Sequence, residues 1–156
     1  GLRVLVLEGR ERVGGKVQYA AKARSYLNGK IITQANEIAA RRHANGLLEI
    51  LLLEQALPAA LALVRKQRVD PGLLHQLARA LASQPITAIE LYQRLANFCV
   101  DQGNNKAYQE AVQMLKECEG ILKVPAHRIA FEKLLDEMRT NFKAKRNFMK
   151  YLADAF

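Results

Sequence analysis

Side chains that could act as nucleophiles or bases are few in this sequence and stand far apart. Cys99 lies within the apolar run Ala-Asn-Phe-Cys-Val of residues 96–100, which is typical of a helix packed in a core. Cys118 lies between two glutamates and has no cationic neighbour that would lower the pKa of its thiol. No Gly-x-Ser-x-Gly motif occurs. We therefore favour buried free thiols at Cys99 and Cys118, with partial exposure of Cys118 as an alternative, and we predict no catalytic residue.

The histidines and cysteines do not form a metal-binding pattern. His43, His75 and His127 are scattered along the chain, and neither cysteine is close in sequence to another of these residues. A structural zinc site gathers four such ligands in a tetrahedron. We predict no metal site, and we interpret His75 as a surface or groove residue of an amphipathic helix.

Clusters of basic residues are the clearest indication of a ligand. The formal net charge is +9, which favours attraction to nucleic acid, to an acidic protein or to an anionic membrane surface. Phe142 and Phe148 could stack on bases, although we favour packing of the last helix onto the preceding one. The candidate anion or nucleic-acid contacts are Arg139, Lys143, Lys145, Arg146 and Lys150. A second cluster consists of Arg10, Arg12, Lys16, Lys22, Arg24 and Lys30.

The composition and the periodicity predict helices along almost the whole chain. Half of the residues are hydrophobic, and the 156 residues include only 9 glycines and 4 prolines. Turn-forming residues divide the chain into about nine pieces of helical length, in which apolar residues recur at helical spacing. We expect Asn45-Gly46 to end one helix and residues 47–55 to form a central, buried one. Prolines should lie in the first turn of later helices, at Pro58, Pro71 and Pro85.

Short turns should make consecutive helices antiparallel neighbours. The small residues Ala60 and Ala88 mark places where two helices can approach closely. The sequence therefore predicts an all-α fold of antiparallel helical hairpins, stacked into a tetratricopeptide-like α-α superhelix that forms a single domain over residues 1–156. A concave face would present polar residues, and the candidate groove residues are Gln76, Arg79 and Arg94.

The segment LRVLVLEGRERVGGKV (residues 2–17) resembles a part of flavin amine oxidases. The resemblance implies that Glu8 binds a ribose hydroxyl and that the arginines and glycines lie by the flavin pyrophosphate, namely Arg10, Arg12, Gly14 and Gly15. The Gly-x-Gly-x-x-Gly turn that supplies the phosphate site is missing from the sequence. We favour a helix over residues 2–12 and keep a FAD or dinucleotide site as an alternative.

Four later stretches together resemble the C-terminal helical region of bacterial SWIM-type zinc-finger proteins. The resemblance implies an α-helical repeat region attached to a zinc-binding module. The Cys-x-Cys and Cys-x-His pairs of that module do not occur here, so neither zinc nor a nucleic-acid role tied to it carries over. The stretches are LLEILLLEQALPAALALVRK (residues 47–66), LLHQLARAL (73–81), AIELYQRLANFCVDQGNNKAYQEAVQMLKE (88–117) and KAKRNFMKYL (143–152).

These observations favour a non-catalytic helical-repeat module for protein–protein interaction or scaffolding. The alternatives are a nucleic-acid-binding accessory domain that uses the basic clusters and a FAD- or dinucleotide-binding fragment. We expect no cofactor, no small-molecule substrate and no membrane contact. Because no signal peptide is visible and the cysteines fit a reducing compartment, we expect a cytoplasmic protein. The chain starts in an apolar run at Gly1, which leaves open that it is a fragment of a longer protein.

Overall fold

The computed structural model describes the backbone of residues 14–156 and the side chains from residue 33 onward, together with those of Ser25 and Lys30. All regular structure in this range is α-helical, so the all-α prediction is confirmed. The helices are α1 (Gly14–Leu53), α2 (Leu57–Lys66), α3 (Pro71–Ala80), α4 (Pro85–Asp101), α5 (Asn105–Gly120), α6 (Pro125–Asn141) and α7 (Arg146–Ala155).

The chain divides into two compact units, residues 1–42 and residues 43–156. In the first unit, the side chains of residues 33–42 are all exposed. In the second unit, one hydrophobic core runs from Ala44 to Leu152 and contains every buried residue of the described part of the chain. The candidate site described below lies entirely within this second unit.

Helix α1 is longer than the sequence patterns predict. The pieces predicted before and after Asn45-Gly46 form one continuous helix that ends at Leu53, so the predicted stop at Asn45-Gly46 is wrong. A glycine inside a helix costs only about 1 kcal/mol relative to alanine, which strong helix formers on both sides can offset. The Asn45 side chain instead accepts a hydrogen bond from the backbone N–H of Asp70, at 2.9 Å, just before α3.

Two residues after the end of α1 at Leu53 lies a residue with an unfavourable backbone conformation. Gln55 has φ of 55°, in the left-handed region that glycine adopts most easily. Its N–H donates to the carbonyl of Leu52, and the N–H of Ala56 donates to the carbonyl of Leu51. These two bonds form a Schellman motif, which satisfies carbonyls left free by the end of the helix.

The starts of the later helices follow the predicted capping signals. Proline lies in the first turn of α2, α3, α4 and α6, where its missing N–H costs nothing because that position has no partner within the helix. Helix α5 begins after Asn104, whose side chain accepts a hydrogen bond from the N–H of Ala107 at 2.9 Å. Local sequence therefore determines these boundaries.

Consecutive helices from α2 to α5 pack against each other as hairpins. Helix α3 packs on α2 and α4, and α4 also packs on α5. Contacts also link helices that are two apart in sequence, α4 with α6 and α5 with α7. The predicted helical hairpins are thus present, and the tetratricopeptide-like superhelix remains a prediction.

Burial confirms most of the predicted core and corrects several positions. Every core residue predicted on α5 is buried. Cys118 is among them, which agrees with the favoured expectation of a buried thiol and not with the alternative of partial exposure. The helix piece at residues 47–55 is buried on one face only, since Leu53 is 85% exposed. Three residues predicted to face inward are also exposed, because no neighbouring helix covers their edge of the apolar stripe. They are Ile86, Phe98 and Ile129.

Replacing the residue with positive φ by glycine should stabilise the protein. We expect Gln55→Gly to raise the free energy of unfolding by about 0.5–1 kcal/mol, because glycine adopts this φ without a steric penalty. Urea unfolding followed by circular dichroism measures the change. The matched control is Gly103→Ala, at φ of 73°, which should lower stability. A destabilising Gln55→Gly substitution would contradict this account of the end of α1.

Candidate functional site

An apolar groove of about 230 Å³ opens where three helices of the second unit meet. The start of α3, the second half of α4 and the middle of α5 form its walls. Phe98 is 47% exposed at its edge, beside the buried Leu95 and Cys99. The lining residues are Pro71, Gly72, His75, Leu95, Phe98, Cys99, Gln102, Glu110 and Met114.

The first turn of α3 contributes little bulk to the wall of the groove. Gly72 has no side chain, and a Cβ added there would meet no atom within 4 Å. Pro71 precedes it with a compact ring. The Pro-Gly pair that starts α3 therefore also forms part of the groove wall.

The polar groups at the groove are few. Glu110 is the only lining residue with a carboxylate, and its side chain is 49% exposed. Its ion pair with Lys106, one turn earlier on α5, is long at 3.9 Å. Burial first, and then the negative charge of Glu110, raise the pKa of the Cys99 thiol. The thiol is thus protonated at neutral pH, so Cys99 presents an apolar surface and no thiolate nucleophile.

A polar network beside the groove links α3 to α5. Nε2 of His75 lies 2.7 Å from a carboxylate oxygen of Glu117, and Arg79 donates to the same carboxylate at 3.1 Å. The ring of His75 also contacts Tyr92 edge-on, with centroids 5.9 Å apart. These bonds position the His75 ring at the wall of the groove.

Ionisation in this network follows from burial and hydrogen bonding. Burial acts to raise the pKa of Glu117, but the hydrogen bonds from His75 and Arg79 outweigh it, so the pKa lies below its ordinary value. Burial, and to a smaller extent the charge of Glu117, raise the pKa of Tyr92. Burial raises the pKa of the Cys118 thiol to about 12, so it stays protonated at neutral pH.

The predicted groove residues have separate roles in the structure. Arg79 binds Glu117 on α5 as described above. Arg94 donates from its Nη1 to the carbonyl of Val64 at 2.8 Å, which satisfies a carbonyl in the last turn of α2. Gln76 is exposed and shares no partner with either arginine. The structure does not bring these three residues to one contact.

The cluster predicted near the end of the chain is only partly available to a ligand. Lys145 donates to the carbonyl of Val100 at 3.0 Å, and its Nζ lies 6.0 Å from the centre of the Tyr108 ring. Arg139 binds Asp136 at 2.9 Å. The exposed members that form no hydrogen bond or ion pair with the described residues are Lys143, Arg146 and Lys150.

The aromatic residues of this cluster pack inward. Phe148 is fully buried, and its ring meets Phe142 edge-on with centroids 5.8 Å apart. This confirms the packing interpretation and leaves Phe148 unable to stack on a base. The second basic cluster is not placed: Arg10 and Arg12 lie outside the described residues, the side chains of Lys16, Lys22 and Arg24 are likewise not described, and Lys30 is exposed.

The described part of the chain contains neither a metal-binding cluster nor a membrane-spanning helix. Within it, no group of three His, Cys, Asp or Glu side chains lies close enough to hold a metal ion. No helix formed by the described residues has the length and apolar character needed to cross a membrane. Of the residues implied by the flavin resemblance, Glu8, Arg10 and Arg12 lie outside the described range.

Comparison with known proteins identifies no relative. No protein-family model, no curated protein and no solved structure matches the chain. The resemblances to SWIM-type zinc-finger proteins and to flavin amine oxidases therefore stay predictions.

Sequence reasoning missed the groove for a simple reason. Its three helices come together only in the folded chain, and His75 and Glu117 are 42 residues apart. The pair Pro71-Gly72 predicts a helix start and gives no local indication of a groove. Phe98 lies at the edge of the apolar stripe of α4, so its spacing predicts a core residue.

Removal of the Glu117 charge should destabilise the protein in a pH-dependent way. We expect Glu117→Gln to lower the free energy of unfolding by about 1 kcal/mol at pH 7, because His75 and Arg79 lose a charged acceptor. A carboxylate whose pKa is lowered on folding stabilises the protein above its unfolded pKa, near 4.5, and this contribution disappears as pH falls through the lower folded value.

The measurement is urea unfolding between pH 7 and pH 3. The difference between the wild type and Glu117→Gln should shrink below pH 4.5. The exposed Glu132→Gln substitution on α6 serves as the control and should change stability little at pH 7. A pH-independent difference for Glu117→Gln would contradict the assigned hydrogen bonds.

Proposed function

We propose that this chain is a non-catalytic helical-repeat module that binds a segment of a protein partner in the groove between α3, α4 and α5. The observation that carries the proposal is the exposure of Phe98 beside Leu95 and Met114, at the mouth of an open apolar groove. Aromatic side chains in apolar depressions are the usual anchors of protein interfaces.

The size of the groove favours a side-chain anchor over a cofactor. Sites for drug-sized ligands and cofactors usually occupy about 300–1,000 Å³ and enclose most of the ligand. At about 230 Å³, the groove is smaller than this range. It is large enough for one or two apolar side chains of a partner segment. The free thiols of Cys99 and Cys118 support placement of the module in a reducing, cytoplasmic compartment.

The tetratricopeptide-like stacking is part of the same proposal. Side-chain contacts recur between helices that are two apart, which is the pattern expected of stacked hairpins. Such stacking would present one groove of this kind between successive hairpins. The relationship to SWIM-type zinc-finger proteins that the sequence resemblance implies remains a proposal. The contacts are Arg65–Glu90, His75–Glu117, Gln93–Glu137 and Asn105–Asn147.

Truncation of Phe98 should weaken peptide binding and leave the fold intact. The experiment selects phage-displayed random 12-residue peptides on the full chain and measures the affinity of a synthesised binder by calorimetry. We expect Phe98→Ala to weaken binding at least about tenfold, as for an interface anchor. Stability should change little because the side chain is half exposed.

The matched control is Ile129→Ala, which truncates an exposed apolar residue on α6 that does not line the groove. It should leave the affinity unchanged. No enriched peptide, or equal affinities for the wild type and Phe98→Ala, would contradict the proposed function.

Nucleic-acid binding is the second candidate function. It is supported by three cations around the start of α7 that have no partners among the described residues. Lys143, Arg146 and Lys150 are exposed and available to phosphate groups. Two other members of the predicted cluster, Arg139 and Lys145, already bind groups of the protein. This leaves a small patch that would recognise charge and not base sequence.

Charge reversal of this patch should remove nucleic-acid affinity if the second candidate is correct. We expect the triple variant with Lys143→Glu, Arg146→Glu and Lys150→Glu to lose at least about tenfold in affinity for a labelled 20-nucleotide single strand at low salt. Fluorescence anisotropy measures it, and affinity of the wild type should fall steeply with added salt. Lys133→Glu, on the surface of α6, is the control. Equal affinity of the wild type and the triple variant for the single strand would exclude this patch as the nucleic-acid contact.

A further inference from the structure

We infer that the partner segment carries a large apolar side chain together with a neighbouring lysine or arginine, and that its cation binds Glu110. This inference rests on the proposed function of the groove and adds the chemical identity of what enters it. The apolar side chain packs against Leu95, Phe98 and Met114, and the cation approaches the carboxylate on the α5 side.

Glu110 has no strong partner of its own. Its contact with Lys106 spans 3.9 Å, at the limit of an ion pair, and the lysine side chain is 87% exposed. An exposed pair one turn apart on a helix contributes only a few tenths of a kcal/mol. A partner cation can therefore replace Lys106 at little cost, and Lys106 can turn outward into solvent.

The charged side chains of the network beside the groove already bind one another. His75 is bound to Glu117, and Arg79 binds the same carboxylate. No lysine or arginine lines the groove. The charge that remains for a ligand is therefore negative, in a chain with a formal net charge of +9.

The apolar walls strengthen the interaction that this carboxylate can make. The Glu110 side chain is 49% exposed in the free protein, and a partner that covers the groove would remove water from around its carboxylate. The attraction between opposite charges rises as the surrounding dielectric falls. A cationic partner is favoured for this reason, whereas an acidic partner would place two like charges in the same covered space.

A charge-exchange experiment on the full chain tests the inference. The probes are the selected 12-residue peptide and a copy in which its basic residue is replaced by glutamate. Both are measured against the wild type, Glu110→Gln, Glu110→Lys and Phe98→Ala. We expect the wild type to prefer the basic peptide by about tenfold, Glu110→Gln to lose the preference and Glu110→Lys to reverse it. Circular dichroism confirms that each variant is folded.

The outcomes separate the inference from the function on which it rests. The inference would be overturned if the selected peptides contain no basic residue, or if Glu110→Lys keeps the preference for the basic peptide. In either case, loss of binding in Phe98→Ala would still support the groove as the binding site. Equal binding by Phe98→Ala would overturn both. If sedimentation of the free protein shows a dimer that Phe98→Ala dissociates, the occupant is a second copy of the chain and the cationic partner is ruled out.

Discussion

Burial of α4 on three sides is the constraint on which the rest of the second unit depends. Ala88 and Ala96 are fully buried, and their small side chains let neighbouring helices approach closely. Leu91 and Leu95 fill the space between them. Burying each leucine contributes about 1.5–3 kcal/mol from the removal of apolar surface from water, so α3, α5 and α6 are held in place mainly by their contact with this helix.

Polar contacts surround this core and define how the helices are aligned. The pair Arg65–Glu90 joins α2 to α4 at 2.7 Å, and both side chains are about half exposed. Exposed pairs of this kind contribute little to stability. They nevertheless favour one register of the stacked helices over others, because a one-turn shift would separate the partners. Alignment thus depends on polar contacts and cohesion on the apolar ones.

The groove is a place where the covering of α4 is incomplete. Helix α3 packs on α4, with Leu74 and Leu77 buried, and its first turn lines the groove with Pro71 and Gly72, beside the exposed Phe98. An apolar surface left uncovered in an otherwise well-packed unit is available to a partner. This connects the requirements of the fold directly to the proposed function.

The net charge of the chain says little about this groove. Residues 1–42 contain nine of the 24 basic residues and three of the 15 acidic ones, whereas residues 43–156 contain 15 and 12. The excess of positive charge therefore lies mainly in the first unit. Within the second unit, a carboxylate lies at the groove and exposed cations lie near α7, so the two surfaces differ in local charge.

Much of the secondary structure was predictable because its causes are local. Pro58, Pro71 and Pro85 predict the first turns of α2, α3 and α4, and helical spacing identifies the buried face of α5. Local signals failed where an adjacent segment outweighed them, as at Asn45-Gly46, which lies inside α1. The all-α class and these helix starts of the second unit thus follow from short stretches of the sequence.

Only the tertiary structure decided which apolar residues are covered and which side chains meet. Periodicity places Phe98 on the apolar stripe of α4, but whether a neighbouring helix covers its side chain depends on how α3 and α5 pack against α4. The bond between His75 and Glu117, 42 residues apart, and the groove that they border likewise depend on how three helices pack. The physical reason is that helix formation depends on residues within a turn or two, whereas burial and long-range polar contacts depend on the packing of the whole unit.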